Sequence, residues 1–230
     1  MRRYLLWCLA AAVAVAKTAA AQQSGPIVIA VLPFEDRGSY GQDKEVFRAL
    51  ELGIPATLAA DLSRHPGAGV ADRARISRAL QAQNLGPNAR VDAATAAKVG
   101  SEAGARYAIT GNFADFYGKF RIDARVVDVA NGQIIKVVSN SDPNFQDRAD
   151  LSRIIRSLAE KVLAAVNLPA AGNAAGARAG TVPTDALTQY SMGLLYEGEG
   201  DKTKAGEHYQ RALAAFPDYA AAREGIQRMR

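Results

Sequence analysis

Along the segment Lys119 to Val129 apolar and charged residues alternate, without a break as far as Val126, and Asn131-Gly132 then returns the chain into Gln133 to Ser139. A period of two places Phe120, Ile122, Ala124 and Val126 on one face and Arg121, Asp123 and Arg125 on the other. Only an antiparallel strand with one buried and one wet face satisfies that pattern, and Asn-Gly is a strong hairpin signal. The middle of the chain is therefore committed to a sheet, and the segments around it must cover that sheet's apolar face.

Those segments read accordingly. Ile27 to Phe34, IVIAVLPF, is a short continuous apolar run rich in β-branched residues, the mark of a central strand buried on both faces. Val46, Leu50, Ile54, Leu58 and Leu62 recur every fourth residue and predict a helix. Gly53 and Pro55 predict a kink in it, or a main helix that starts at Pro55. His65-Pro66-Gly67 stops that helix before a brief strand at Gly69 to Ala71. Two short helices follow, about 73–83 and 92–103, the second capped by Asp92. Arg106 to Phe113 predicts a strand, and Asp147 to Val166 an amphipathic helix buried through Leu151, Ile154, Ile155, Leu158, Val162 and Val166. The fold class is α/β, a mixed sheet in the order β-α-β-α-α-β-β-β-α packed on helices, followed by a small all-α hairpin. The expected boundaries are 1–21 for an export signal, 25–167 for the α/β domain, 168–184 for an Ala/Gly/Pro linker and 185–230 for the helical unit.

Residues 1–21 carry Arg2 and Arg3, then the apolar run LLWCLAAAVAV, then Ala19-Ala20-Ala21 ahead of Gln22. That is the layout of a secretory signal cleaved between Ala21 and Gln22, and the run is shorter than the roughly 20 residues a bilayer span needs. Cys8 lies inside the run behind Trp7, which is no lipidation site. The exported chain then has no cysteine, no transmembrane segment and a periplasmic address. Losing Arg2, Arg3 and Lys17 leaves 25 basic against 23 acidic residues, so the basicity belongs largely to the signal and nucleic acid is excluded as a partner. Arg73, Arg75 and Arg78 are the solvated side of a helix.

The chemistry-bearing residues are sparse. There is no phosphate-binding glycine loop, no nucleophile elbow and no thiol in the exported chain. His65 and His208 sit in different modules, His65 as a helix-end cap and His208 on the surface, too far apart to be a catalytic or metal pair. Glu35-Asp36 follows the first strand, where α/β proteins place sites, but with no partner base or metal ligand after it the pair reads as loop and not as a catalytic acid pair. The expectation is a protein with no enzymatic activity, catalytic residue, cofactor or metal.

Three phrases carry a resemblance. Pro33-Phe34 ends the first strand; Gly100, Gly104, Ala105, Tyr107 and Gly111 precede the hairpin; Val127, Asp128 and Gly132 form it. In that order, over about 27–166, the chain resembles the periplasmic domain family of CsgG and the TolB amino-terminal region. The resemblance implies a cell-envelope role in a bacterium with an outer membrane. It departs from CsgG in lacking a lipidated cysteine at the start of the exported chain and a pair of long membrane hairpins. A non-catalytic interaction or assembly module is therefore the first reading, and an oligomeric curli-type or other secretion component the alternative. Further on, Met192, Gly193, Tyr196, Ala205, Tyr209, Ala212 and Pro217 fall in the small-and-large order of two packed helices. This unit resembles a tetratricopeptide repeat, with Gln189 where the repeat usually has Trp and a capping helix from about Ala220. The resemblance implies a partner-binding face at Tyr190, Leu194 and Glu197. A single repeat cannot stand alone, so it docks on the first domain, on a second copy or on an envelope protein.

Overall fold

A computed structural model describes residues 25–41, 43–86, 90–140, 146–168 and 181–229. The signal segment, with Cys8, Ala21 and Gln22, and positions 169–180 of the expected linker lie outside the described residues.

The apolar run becomes β1 (Ile27–Asp36), which lies between two parallel neighbours, β2 (Ala68–Val70) and β3 (Tyr107–Phe116). Its register with β3 shifts between Val31 and Phe34. Pro33, which has no N–H to give a ladder, sits in that irregularity. Just beyond, Phe34 lies against Gly111 of β3, where an added Cβ would come within 2.7 Å of the Phe34 ring and 2.6 Å of the Asp123 carbonyl. The Pro-Phe pair and the last glycine of the motif are thus two halves of one contact.

β3, β4 (Lys119–Asp128) and β5 (Gln133–Ser139) follow as an antiparallel meander, giving the order β2-β1-β3-β4-β5. A two-residue strand, β6 (Gln146–Asp147), pairs with the start of β4. Alternation along β4 is realised as read: Phe120, Ile122, Ala124 and Val126 are all fully buried. They face α1 (Lys44–Ser63) and α4 (Leu151–Ala165) in the larger core, with Ile29, Ile109, Leu58 and Ile155. The opposite face, through Ala30, Leu32, Ala108 and Val127, packs on α2 (Arg73–Ala82) and α3 (Ala93–Glu102). Asp92 caps α3 by accepting from the Thr95 amide at 2.8 Å. α4 begins four residues later than its apolar pattern suggests, because Asp147 instead caps a single 3-10 turn, Arg148–Asp150.

α1 corrects one expectation. It runs unbroken through Gly53 and Pro55. Gly53 is a crossing point, because α5 (Thr184–Glu199) passes so close that a Cβ there would lie 1.7 Å from Ser191 Oγ. The three C-terminal helices, α5, α6 (Lys202–Ala215) and α7 (Ala220–Met229), are thereby docked on the α/β unit. Leu187 joins the larger core. Arg48 pairs with Glu199 at 2.8 Å, and the Tyr196 hydroxyl donates to Glu45. The described ends of the expected linker are held as well: Leu168 and Val182 pack on the core, and Ser152 Oγ donates to the Val182 carbonyl at 2.7 Å. Of the three docking possibilities, the structure shows the first.

Candidate interaction surfaces

The face expected to bind a partner is occupied by the chain itself. Tyr190 and Leu194 are buried, with Tyr190 against the rings of Tyr209 and Tyr219 at 5.9 and 5.1 Å. Glu197 is half-buried and accepts from the Tyr209 hydroxyl and from Arg228 Nε at 2.8 Å and Nη2 at 3.1 Å. The apolar face of the α5–α6 hairpin is covered by α7 and α1. Gly193, Ala205, Tyr209 and Ala212 do form the α5–α6 seam, whereas Met192 packs with Ala49 and Leu195 beside α1. Pro217 is exposed at the start of the α6–α7 turn. His208 is not merely on the surface: its Nδ1 lies 2.7 Å from Gln189 Oε1 and its ring stacks on Tyr196.

Glu197 makes this helical unit sensitive to acid. Burial alone would push its carboxyl up, but the hydrogen bonds from Arg228 and Tyr209, with the Arg228 charge, hold it below the usual range. An acid lowered in the folded state adds stability that is complete above the ordinary carboxyl range, near 4.3, and is lost as pH falls through the lowered value. Asp61 and Glu51, both raised by burial, run the other way and regain stability on protonation. Glu197→Gln is therefore expected to cost about 1–2 kcal/mol at neutral pH. It should also flatten the acid limb of the urea midpoint measured on the helical signal. A variant whose midpoint falls in acid as steeply as the parent's would remove Glu197 from that role.

Two other surfaces face solvent. The first is the tip of the β3–β4 hairpin. Tyr117 and Gly118 have φ of +52° and +86° and make a two-residue turn. A turn with both central residues left-handed suits Asn-Gly and disfavours a bulky side chain. Tyr117 is nonetheless there, 85% exposed. Tyr40 stacks beside it at 6.2 Å and against Phe116 at 5.6 Å, so three rings form one exposed platform. Its base is firmly held. The Tyr40 amide donates to the Asp115 carbonyl at 2.8 Å, and Ser39 Oγ accepts from the Asp115 amide at 2.9 Å. The Asp115 carboxylate, 1% exposed, pairs with Arg148 at 2.9 Å and accepts from the Gly118 amide at 2.6 Å.

The second is a cleft of about 230 Å³ where α3 stops covering the sheet, lined by Glu35, Arg37, Arg90, Thr110, Arg125 and Ile134 among others. Glu35 and Asp36 are not loop but the last two residues of β1, which continues past Phe34 because its pairing with β3 runs on to Asp36↔Phe113; one Glu35 oxygen lies 3.3 Å from Arg37 and 3.7 Å from Arg90. Asp36 accepts from Ser39. Half-buried Arg125 has no ion-pair partner among the described residues. The cleft is smaller than the roughly 300 Å³ at which small-molecule sites begin, so a single side chain suits it better than a cofactor. His65 Nδ1 accepts from the Gly67 amide at 3.0 Å, a local helix-end contact. No group of three potential metal ligands occurs among the described residues, and no described helix is long and apolar enough to cross a membrane.

No known family profile and no curated protein matches the sequence. Among solved structures the chain is similar to the C-terminal domain of LpoB from Salmonella enterica, with 18% identity over 50% of this chain and 81% of that one and a TM-score of 0.39. It is also similar to TolB from Acinetobacter baumannii, with 19% identity over 62% and 27% and a TM-score of 0.36. PelC from Paraburkholderia phytofirmans, solved as a dodecamer, matches with 18% identity over 63% and 89% and a TM-score of 0.36.

Proposed function

We propose that this chain is an exported, non-catalytic protein of the cell envelope that works as a protein–protein interaction or assembly module. Its parts are a CsgG/TolB-amino-terminal-like α/β unit and a tetratricopeptide-like hairpin folded onto it as a brace. The observation that carries the reading is the aromatic platform of Tyr40, Phe116 and Tyr117. Aromatic anchors dominate protein interfaces, and each ring buries on the order of 150–250 Å² when covered. Keeping a tyrosine left-handed at the turn works against the fold, which makes the side chain's outward contact the reason for its presence. The role expected of Tyr190, Leu194 and Glu197 thus passes to other residues: those three hold the brace, and the hairpin tip meets the partner.

The test is a double variant, Tyr40→Ser with Tyr117→Asn. Asparagine ahead of Gly118 is the preferred pair for this turn, so stability is expected to hold or rise by about 0.5–1 kcal/mol. A photo-crosslinking side chain at position 117 should capture one discrete protein in the cell envelope. The same probe at exposed Arg211 on α6 should not capture it, and Tyr40→Ser should abolish the capture. Equal capture from both positions, or capture indifferent to Tyr40, would overturn the platform.

A further inference from the structure

We infer that the outer edge of β5 and the arginine cleft beside it form one site, which takes an extended acidic peptide segment by strand addition. β5 is the last strand of the sheet, and no described strand pairs with its outer side. Residues 133–137 are all exposed, with Ile134, Ile135 and Val137 at 45%, 42% and 56%. The strand's end is taken, since the Ser139 carbonyl accepts from Lys161 Nζ at 2.6 Å, but an open edge with apolar side chains such as 133–137 is a template for another strand.

Charge selects the occupant. Val137 lies opposite Arg125 in the β4–β5 register, and Ile134 forms part of the cleft wall. A strand added outside β5 would run about 10 Å from β4, a gap that an arginine and a glutamate side chain span together across Val137. The incoming carboxylate would meet Arg125, which has no acidic partner among the described residues, and Arg90, which is 72% exposed and shares Glu35 with Arg37. A second copy of β5 fits poorly. The antiparallel register that sets Ile135 against Val137 and Ile134 against Val138 also sets Lys136 against its own copy, and directly opposed like charges destabilise a pair. Lys136 thus blunts the edge toward its own kind while leaving it open to an acidic segment. The site extends the interaction-module reading to a second surface. It can fail while crosslinking from position 117 stands, and the reverse.

The experiment uses the isotope-labelled protein and three capped hexapeptides: alternating valine and glutamate, alternating valine and lysine, and the glutamate peptide N-methylated at alternate residues. The glutamate peptide is expected to shift the amides of 133–139 and slow their hydrogen exchange. The lysine peptide, and the Arg125→Gln variant with the glutamate peptide, should each bind at least about tenfold more weakly. The N-methylated peptide, unable to complete a ladder, should leave 133–139 unshifted. Equal binding of the two charge types, shifts centred elsewhere, indifference to Arg125→Gln, or no binding at all would each overturn the proposal. So would a dimer in light scattering that forms through β5, since the occupant would then be a second copy.

Discussion

Gly53→Leu is expected to undock α5 and, with it, the whole C-terminal helical unit. An added Cβ at position 53 would stand 1.7 Å from Ser191 Oγ, 2.6 Å from its Cβ and 3.3 Å from its Cα. The first clash could be relieved by turning the hydroxyl away from the Leu187 carbonyl, which it meets at 2.7 Å. The second and third cannot, because they belong to the helix itself, so α5 must move. Overpacking of a tight seam costs typically 1–3 kcal/mol for a methylene or two, and a leucine side chain adds more than that. Intrinsic helix propensity works in the opposite direction, since alanine is favoured over glycine by about 1 kcal/mol inside a helix. That opposition makes a clean test. Gly53→Ala should destabilise despite its better propensity, and combining it with Ser191→Gly should recover part of the loss although glycine weakens α5. Recovery in the double variant identifies the fault as steric. If Gly53→Ala raises the denaturation midpoint, the α1–α5 crossing is not as close as described and the docking has to be reconsidered.

Gly53 also shows where the sequence was legible and where it was not. Patterns that depend on one element alone were readable: the alternation of β4, the continuous apolar run of β1, and the cap of α3 by Asp92 all follow from local geometry. Gly53-x-Pro55 read as a break because local propensity says so, yet tertiary packing turned the glycine into a contact and carried the helix through the proline. The burial of Tyr190 and Leu194, expected on a partner-binding face with Glu197, has the same origin. Spacing along a helix says which face is apolar, but not what covers it, and the α5–α6 hairpin beside α1 and α7 has that face filled from within. The hairpin tip left a signal that could have been used: Tyr117-Gly118 stands between two alternating runs, where a turn is needed and a tyrosine is out of place. The cleft left none, since Glu35, Arg90, Thr110 and Arg125 are far apart in the chain and meet only through the parallel pairing of β1 with β3 and the cover of α3.

Tyr209→Ala should be the most damaging single truncation in the helical unit. The ring is fully buried and lies between two glycines, with the Cβ positions of Gly193 on α5 and Gly225 on α7 only 2.4 and 2.7 Å from ring carbons. No side chain from either glycine can move in to fill the space, and the helices are kept apart by their other contacts, so the cavity would persist. Buried aromatic-to-alanine changes cost about 3–5 kcal/mol under those conditions. The loss also strips Glu197 of one hydrogen bond, leaving it to Arg228. Tyr209→Phe separates the two effects: it keeps the ring and should cost only about 1–2 kcal/mol. The damage need not spread evenly. α5 meets the sheet unit through α1 and through Leu187, whereas the sheet's own cores on α1 and α4 and on α2 and α3 contain no residue of α6 or α7. In Tyr209→Ala, hydrogen exchange should therefore show α6 and α7 opening at free energies well below those of β1, β3 and β4, as a separate low-stability unit. Loss of protection in β1 and β3 to the same extent would mean that the helices brace the sheet cooperatively, and that the C-terminal unit is part of the fold's foundation and not an attachment to it.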